Sequence, residues 1–316
     1  MASSGLLLAG IDIGTLTCRL LIGRVSTDGK LTEIKADRRI LRLGEGVDRD
    51  RLLRPAAMAR VIETLREWRS IIKAHKVDGQ IAVATSAVRN ARNREEFLGR
   101  VKQEVGFDVE VIDGDEEARR TMLGIRSGLP AGVTNILGLD IGGGSTEFIL
   151  DRAGKPPVVR SIEIGVVRLT ERMLKHDPPT EDEVQAILEL VKKETEQATA
   201  PIGPLNGVTL VGTAGSITTL AAMAQKLSTY EPVRIHNYRL GLDRIKELEQ
   251  EILSKTIAQR RSMPGLEAGR EEVVVAGTLI LHGVMETLGF TEGLVSDVGL
   301  REGVLIDLAE RLQKDR

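Results

Sequence analysis

The sequence predicts an α/β protein made of two related domains, and three observations support this class. A short motif occurs twice, because 8–14 (LAGIDIG) and 136–142 (ILGLDIG) match in residue type and spacing, which indicates a duplicated fold unit. Each copy is an apolar, strand-like run that ends in Asp-x-Gly and precedes a second strand-like run. With 316 residues, 41% of them hydrophobic, the chain can bury large cores and is expected to divide into two domains.

Apolar periodicity and turn residues predict strands and helices along the first 127 residues. We expect strands over 6–13, 19–25, 31–42, 80–84 and 109–112, and helices over 55–74 and from about 113 to 127. The first helix opens on Pro55, and its apolar residues recur at helical spacing. Trp68 falls on that apolar face, so we expect it in the core.

The remainder of the chain shows the same alternation of strands and helices. We expect strands over 133–140, 148–150, 158–163, 208–211 and 294–297, and helices after Gly165 and over 181–200, 214–223, 243 onward, 271–288 and 300–313. Thr180 and Glu183 fit a capping box at the start of the long helix. Small residues in 271–288 would allow other elements to pack closely against that helix.

The stretch 138–147 (GLDIGGGSTE) carries the strongest chemical signal in the sequence. Three successive glycines, Gly142, Gly143 and Gly144, allow a tight turn whose N–H groups can converge on an anion, and Ser145 and Thr146 add hydroxyl donors. Asp140 and Glu147 are hard oxygen ligands of the kind that Mg²⁺ prefers beside a substrate phosphate. The alternative is a glycine-rich hairpin between buried strands, which leaves the two acids unexplained.

Two further loops at strand-to-helix junctions have residues suited to phosphate. The loop 85–90 (TSAVRN) offers hydroxyls and then Arg89, whereas Arg92 and Arg94 fit a solvated helix face equally well. The loop 212–218 (GTAGSIT) combines glycines and hydroxyls before a helix, but it lacks the Gly-Lys-Ser/Thr of a Walker loop.

An acidic run, 113–117 (DGDEE), leads from a strand into a helix. Acids in a first helical turn complement the helix dipole, and this suffices for Asp115 and Glu116. A carboxylate near a metal and phosphate turn could instead orient water for attack on phosphorus. Spacing alone does not choose between Glu116 and Glu117.

Composition excludes several classes of function. Aromatic residues are only 2% of the chain and the net charge is −2, so we expect no nucleic-acid platform. Cys18 is the only cysteine and the four histidines form no zinc-ligand spacing, which predicts a reducing compartment and no zinc. We find no export signal over 1–14 and no membrane-spanning run, so we expect a cytoplasmic protein without membrane contact.

Together these segments resemble the exopolyphosphatase/guanosine pentaphosphate phosphatase (Ppx/GppA) family of the actin-like ATPase superfamily. The resemblance covers nearly the whole chain and corresponds to a short form of the family. It rests on 10–14 (GIDIG), 85–89 (TSAVR), 114–119 (GDEEAR), 140–147 (DIGGGSTE), 212–218, 234–240 and 296–303 (SDVGLREG).

The resemblance implies two actin-like domains of ribonuclease H type, each with a mixed five-stranded sheet and flanking helices, and an active site in the interdomain cleft. The first domain would comprise 1–126 with 300–316, and the second 127–299. The implied activity is hydrolysis of terminal phosphate from inorganic polyphosphate, or conversion of guanosine pentaphosphate (pppGpp) to guanosine tetraphosphate (ppGpp). The implied cofactor is Mg²⁺, with Mn²⁺ as an alternative. The resemblance further suggests a homodimer and inhibition by ppGpp.

The resemblance also assigns roles to individual residues. Glu117 would be the general base, and Asp140 and Glu147 would hold the metal. The residues assigned to phosphate binding are Asp12, Gly14, Thr15, Thr17, Arg89, Gly142, Gly143, Gly144, Ser145, Thr146, Gly212, Thr213, Gly215 and Ser216.

Two residues depart from the family pattern. Leu16 stands where the family usually has Asn, which removes a polar side chain from the first turn, and Asn237 stands where Gly is common. The loss of the amide at Leu16 leaves open a non-catalytic sensor of polyphosphate or ppGpp. A kinase or ATPase of the same superfamily is the other alternative, and Glu117 with the complete 140–147 motif argues against it.

Overall fold

The computed structural model describes residues 5–314 of the chain. The prediction that 1–14 holds no export signal therefore falls partly on residues 1–4, which lie outside the described residues. No helix within 5–314 has both the length and the apolar character needed to cross a bilayer.

Eleven strands form within the described range. They are β1 (Gly5–Ile13), β2 (Thr17–Ser26), β3 (Leu31–Ile40), β4 (Gly79–Ala84), β5 (Val109–Val111), β6 (Ile136–Ile141), β7 (Thr146–Asp151), β8 (Val158–Ile162), β9 (Thr209–Thr213), β10 (Arg239–Gly241) and β11 (Glu292–Val295). Each strand predicted from the sequence is present, with its ends shifted by a few residues. The short strand β10 was not predicted.

The described range also contains thirteen α-helices and one 3₁₀ turn at Ala200–Ile202. The α-helices are α1 (Val47–Asp50), α2 (Pro55–His75), α3 (Ser86–Asn90), α4 (Arg94–Glu104), α5 (Gly114–Gly128), α6 (Val166–Met173), α7 (Glu181–Thr199), α8 (Ala214–Ala224), α9 (Pro232–Ile235), α10 (Leu242–Leu253), α11 (Ile257–Arg260), α12 (Val274–Leu288) and α13 (Leu300–Lys314). The helix predicted over 271–288 begins only at Val274. The capping box of α7 is confirmed, because the Thr180 hydroxyl accepts from the Glu183 N–H and the Glu183 carboxylate accepts from the Thr180 N–H.

The chain folds as two compact units, which are described separately. Unit 1 contains the residues up to Ser127 together with those from Gly299, and unit 2 contains Gly128–Val298. Each unit has its own mixed sheet with helices packed on it, which confirms the predicted α/β class.

The sheet of unit 1 has the strand order β3-β2-β1-β4-β5, with β1 antiparallel to β2 and parallel to β4. Because side chains alternate along a strand, β1 faces two hydrophobic clusters. Ala9, Ile11 and Ile13 pack with the apolar face of α2, including the fully buried Trp68. Leu8, on the opposite face, packs against α13. Trp68 is therefore a core residue as predicted.

The sheet of unit 2 has the order β8-β7-β6-β9-β11-β10 and thus six strands, so the prediction of a five-stranded sheet is wrong for this unit. The sixth strand, β10, has three residues and pairs antiparallel with β11 at the edge. Three residues are too few to show an alternation of apolar and polar side chains, so the sequence does not predict this strand. It is a strand because it pairs with β11.

The apolar helix α12 packs against four other helices of unit 2, namely α6, α7, α8 and α10. Gly277 and Gly283 of α12 lie in close contact with side chains of the neighbouring helices. A Cβ atom added at Gly277 would lie 3.1 Å from the Ser216 Cβ, and one added at Gly283 would lie 2.8 Å from a Val191 methyl carbon. The predicted use of small residues for close packing is confirmed.

Candidate active-site residues

The turn between β1 and β2 presents the first Asp-x-Gly motif in unit 1. The Gly14 N–H donates to the Thr17 carbonyl at 3.1 Å, and a Cβ at Gly14 would lie 2.7 Å from that oxygen, so the turn requires glycine. Asp12 is buried and forms an ion pair with Arg19, its directly opposed residue on β2, at 3.1 Å. Burial raises the pKa of Asp12 above its ordinary value, and the Arg19 charge partly offsets this.

Thr15, Leu16 and Thr17, which complete this turn, are all buried. The Leu16 carbonyl accepts from the N–H groups of Leu41 and Arg42, both at 2.9 Å, which ties the turn to the end of β3. The leucine that departs from the family pattern is thus a buried residue whose backbone carbonyl holds the turn to the end of β3.

The loop after β4 lies beside this turn, because the Thr85 N–H donates to the Ile13 carbonyl at 3.2 Å. It leads into α3, which carries Arg89. One Arg89 nitrogen, Nη1, donates to the Ile112 carbonyl at 2.8 Å and to the Glu117 carboxylate at 3.0 Å. The structure thus brings together the candidate phosphate-binding arginine and the candidate base, which are 28 residues apart in sequence.

The two adjacent glutamates of α5 have different surroundings. Glu116 accepts from the guanidinium groups of Arg119 at 2.7 Å and Arg120 at 2.6 Å. Its hydrogen bond with Arg119, together with Arg120, lowers the pKa of Glu116 to about 2. A carboxylate with such a low pKa is a weak proton acceptor, and this one is engaged in a structural network. Glu116 is therefore part of an ion-pair network on α5, whereas Glu117 contacts the candidate phosphate-binding residue Arg89.

The second Asp-x-Gly motif, in unit 2, ends β6. Asp140 on β6 is directly opposed to Glu147 on β7, and opposed residues of an antiparallel pair carry their side chains on the same face of the sheet. Both are buried, with 8% of Asp140 and 1% of Glu147 exposed. The Glu147 carboxylate accepts from the Ser161 hydroxyl at 2.8 Å. Two carboxylates on one face match the oxygen ligands that Mg²⁺ prefers, although residues 5–314 hold no metal-binding cluster of three or more His, Cys, Asp or Glu.

The glycine loop between β6 and β7 is a hairpin turn whose peptide groups are held by hydrogen bonds within the turn and to helix α6. The Gly142 N–H donates to the Ser145 carbonyl at 3.0 Å, as Gly14 does to Thr17 in unit 1. The carbonyls of Gly142 and Gly143 accept from the N–H groups of Val166 at 3.0 Å and Val167 at 2.9 Å, at the start of α6. These carbonyls are therefore directed at α6.

Two hydroxyls predicted to bind phosphate are engaged in structural hydrogen bonds. The Thr146 hydroxyl donates to the Ile164 carbonyl at 2.6 Å. The Thr213 hydroxyl lies near the Ser296 and Val298 carbonyls, each at 3.1 Å. The buried Ser145 shows no comparable side-chain bond within the described residues.

The third loop, 212–216, joins β9 to α8 beside the second motif, because Asp140 is in register with Thr213. Gly212 and Gly215 are buried and Ser216 is partly exposed. The guanidinium of buried Arg270 lies so close to Gly215 that any side chain at Gly215 would overlap with it.

Sequence reasoning missed several arginines that contact the candidate residues, among them Arg19 at Asp12, Arg168 at the Gly144 carbonyl and Arg270 at Gly215. Arg19 could have been found, since strand alternation places it opposite Asp12 once the hairpin is assumed. Arg270 contacts a loop that is more than fifty residues away in sequence, and no local pattern signals that contact.

Comparison with known proteins indicates the same family as the sequence motifs do. The chain matches the model of the Ppx/GppA phosphatase family over residues 23–312. Exopolyphosphatase 2 of Mycobacterium tuberculosis is 34% identical over 315 residues, which cover 95% of this chain and 98% of that protein.

Two solved structures also superpose well. The Aquifex aeolicus member of the Ppx/GppA family has a TM-score of 0.82 at 36% identity and covers 98% of this chain and 99% of its own. An exopolyphosphatase from Cytophaga hutchinsonii has a TM-score of 0.87 at 30% identity, covering 96% and 98%.

Fold and motifs thus define a two-unit α/β protein of the actin-like class. The chain belongs to the Ppx/GppA phosphatase family.

Proposed function

We propose that this protein is an exopolyphosphatase, which removes the terminal phosphate of inorganic polyphosphate with the help of Mg²⁺. A relative named exopolyphosphatase, 34% identical over nearly its whole length, supports the substrate class. Attack of water on a terminal phosphoryl group needs positioning, charge neutralisation and a base, but no covalent nucleophile. Each of these requirements has a candidate group in the chain.

The observation that carries the proposal is the contact between Arg89 and Glu117. Both side chains are largely buried, at 18% and 10% exposure, and they meet at the first turn of α5. Arg89 holds the Glu117 carboxylate in one orientation and brings a guanidinium, a good phosphate ligand, next to it. In this proposal Glu117 accepts a proton from the attacking water, and Arg89 binds a phosphate oxygen.

In unit 2, Asp140 and Glu147 are the residues that would hold Mg²⁺, with Mn²⁺ as an alternative. When bound, the cation neutralises charge on the phosphate oxygens of the substrate. The N–H groups of the glycine loop and the loop 212–216 would bind phosphate groups of the chain. Both oxygen donors are carboxylates, which suits a small divalent cation that keeps several waters and binds substrate phosphate.

Three other functions remain as alternatives. Hydrolysis of pppGpp to ppGpp uses the same phosphoanhydride chemistry, and the family name includes it. A kinase-like ATPase and a non-catalytic polyphosphate or ppGpp sensor are the other two. Inhibition by ppGpp, a homodimer and a cytoplasmic location stay predictions from the sequence.

Phosphate release from long-chain polyphosphate, pppGpp and ATP, each with and without Mg²⁺, separates these functions. We expect Mg²⁺-dependent release that is fastest from polyphosphate. Faster release from pppGpp would instead favour the guanosine pentaphosphate activity, and release from ATP alone would favour the kinase-like alternative. Binding of polyphosphate or ppGpp without release from any substrate would identify a sensor.

Glu117→Gln tests the base directly, with Glu116→Gln as the matched control on the same helical turn. Because a positioned general base contributes about 100-fold or more, Glu117→Gln should lower kcat by at least that factor. Binding of polyphosphate, measured by fluorescence anisotropy, should change little. Glu116→Gln should retain most activity at temperatures where it is folded. Near-normal turnover by Glu117→Gln, or an equal loss in both variants, would remove Glu117 from this role.

A further inference from the structure

Helix α6 begins directly against the glycine loop of unit 2. Gly165 immediately precedes the helix, and a Cβ atom at this position would lie 2.5 Å from backbone atoms of Gly143 and Gly144. The absence of a side chain at Gly165 therefore lets the first N–H groups of the helix reach the loop.

The helix backbone can serve only part of the loop. The Val166 N–H bonds the Gly142 carbonyl, and the Val167 and Arg168 N–H groups bond the Gly143 carbonyl at 2.9 and 3.3 Å. The next N–H, that of Leu169, already bonds inside the helix to the Gly165 carbonyl at 2.9 Å. The carbonyl of Gly144 is thus beyond the reach of the free N–H groups of the first turn.

A side chain supplies the missing donor. The Nε of Arg168 donates to the Gly144 carbonyl at 2.9 Å, and its Nη2 pairs with the Glu163 carboxylate. The Arg168 side chain is 7% exposed, whereas that of Glu163 is 55% exposed. A guanidinium can make both contacts because its donors lie in a rigid planar fork, which a single lysine nitrogen cannot reproduce.

The direction of these carbonyls sets the direction of the N–H groups. In a planar trans peptide the C=O of one residue and the N–H of the next point in opposite directions. With the carbonyls of Gly142, Gly143 and Gly144 directed at α6 and Arg168, the N–H groups of Gly143, Gly144 and Ser145 face away from α6. Successive N–H groups that face one way form an anion-binding surface.

We propose that Arg168 is the positioning residue of this loop: by fixing the Gly144 carbonyl, it completes the row of N–H groups that binds a substrate phosphate. Arg168 itself does not touch the phosphate in this arrangement. The inference rests on the proposed function, since it assumes that the phosphate bound by the loop belongs to polyphosphate.

The test compares Arg168→Met and Arg168→Lys with two controls in the full chain. Arg172→Met removes an exposed arginine one turn further along α6, and Glu163→Gln removes the ion pair while leaving the Arg168 donor to Gly144 in place. We expect Arg168→Met to raise KM for polyphosphate by about tenfold, the loss of one good charge-assisted hydrogen bond. Arg168→Lys should recover part of this loss, and both controls should stay within about twofold of the wild type.

Two further measurements separate positioning from general destabilisation. In a Glu117→Gln background, in which we expect turnover to be at least about 100-fold slower, Arg168→Met should weaken polyphosphate binding by a similar factor at temperatures where both variants are folded. Amide hydrogen exchange of Val166 and Val167, whose N–H groups bond the loop, should become faster in Arg168→Met and stay unchanged in Arg172→Met.

The outcomes are distinguishable. If the wild type neither binds nor hydrolyses polyphosphate, the proposed function fails, and the exchange rates of Val166 and Val167 alone decide whether Arg168 holds the loop. If the wild type is active but Arg168→Met keeps KM and exchange unchanged, the positioning role is wrong. If Glu163→Gln matches Arg168→Met, the ion pair and not the contact with Gly144 is responsible, and the inference is overturned.

Discussion

At the scale of single residues, neighbouring side chains of the same type have different roles because their partners differ. Glu116 and Glu117 are adjacent on α5, yet the first pairs with Arg119 and Arg120 and the second with Arg89. Asn237 shows a different effect, that of the backbone: its φ of 62° lies in the left-handed region, where Gly is preferred and Asn is tolerated. This backbone conformation explains why Asn can replace the family's glycine there.

The low pKa of Glu116 predicts how its contribution to stability depends on pH. Its folded pKa, about 2, lies below the ordinary value of 4.5, so the contribution is present above pH 4.5 and is lost as pH falls toward 2. Glu116→Gln should therefore lower the free energy of unfolding near pH 6, by at most ~3 kcal/mol. The difference from the wild type should shrink toward zero near pH 2.

Urea unfolding at several pH values between 6 and 2 measures this difference. Asp115→Asn, at an exposed neighbouring position, serves as the control for removing one negative charge from the same helical turn. A deficit of Glu116→Gln that stays constant down to pH 2 would contradict the assignment of the low pKa to this network.

At the scale of elements, α13 joins unit 1 through contacts between backbones. A Cβ atom at Gly303 on α13 would overlap with the Arg120 carbonyl on α5, and one at Gly124 on α5 would overlap with the Gly299 carbonyl. One turn after Gly303, Asp307 on α13 forms an ion pair with Arg119 on α5. The close approach lets α13 cover the face of the sheet where Leu8 and Leu305 pack.

Gly303→Ala should separate the two helices, because rigid backbone cannot move aside as a flexible side chain can. We expect a loss of about 3 kcal/mol or more in the free energy of unfolding, the upper end of the cost of overpacking. Gly99→Ala on α4 is the matched control, because a Cβ there meets no atom within 4 Å. That helical replacement should stabilise by up to about 1 kcal/mol. Equal effects in denaturant unfolding would show that the crossing is not close.

At the scale of the whole molecule, the two units share a strand order and a turn, but the residue opposed to the aspartate of the motif differs in charge between them. The order β3-β2-β1-β4-β5 of unit 1 recurs as β8-β7-β6-β9-β11 in unit 2, and both motifs close with the same turn hydrogen bond. Asp12 faces Arg19, whereas the equivalent Asp140 faces Glu147. The aspartate of unit 1 has a cation supplied by the chain, and that of unit 2 shares its face with another acid.

This divergence predicts different effects of the same substitution in the two units. Asp140→Asn should raise the Mg²⁺ concentration for half-maximal activity by about tenfold or more, since one anionic ligand is lost. Asp12→Asn should lower activity with little change in that concentration. Metal titrations of phosphate release measure both, and an unchanged titration for Asp140→Asn would remove Asp140 from the ligands.

The sequence by itself determined the features that depend on near neighbours: the duplicated Asp-x-Gly hairpins, the glycine loop, the capping box of α7 and most strands and helices. These features follow from backbone preferences and apolar periodicity over a few residues. Only the tertiary structure decided three side-chain contacts: Glu117 with Arg89, Arg168 with the Gly144 carbonyl, and Arg270 with Gly215. It alone also decided that a three-residue strand completes the second sheet. These contacts join residues that are distant in sequence and that strand order and helix packing bring together. No local sequence pattern specifies which distant side chain will contact a given residue.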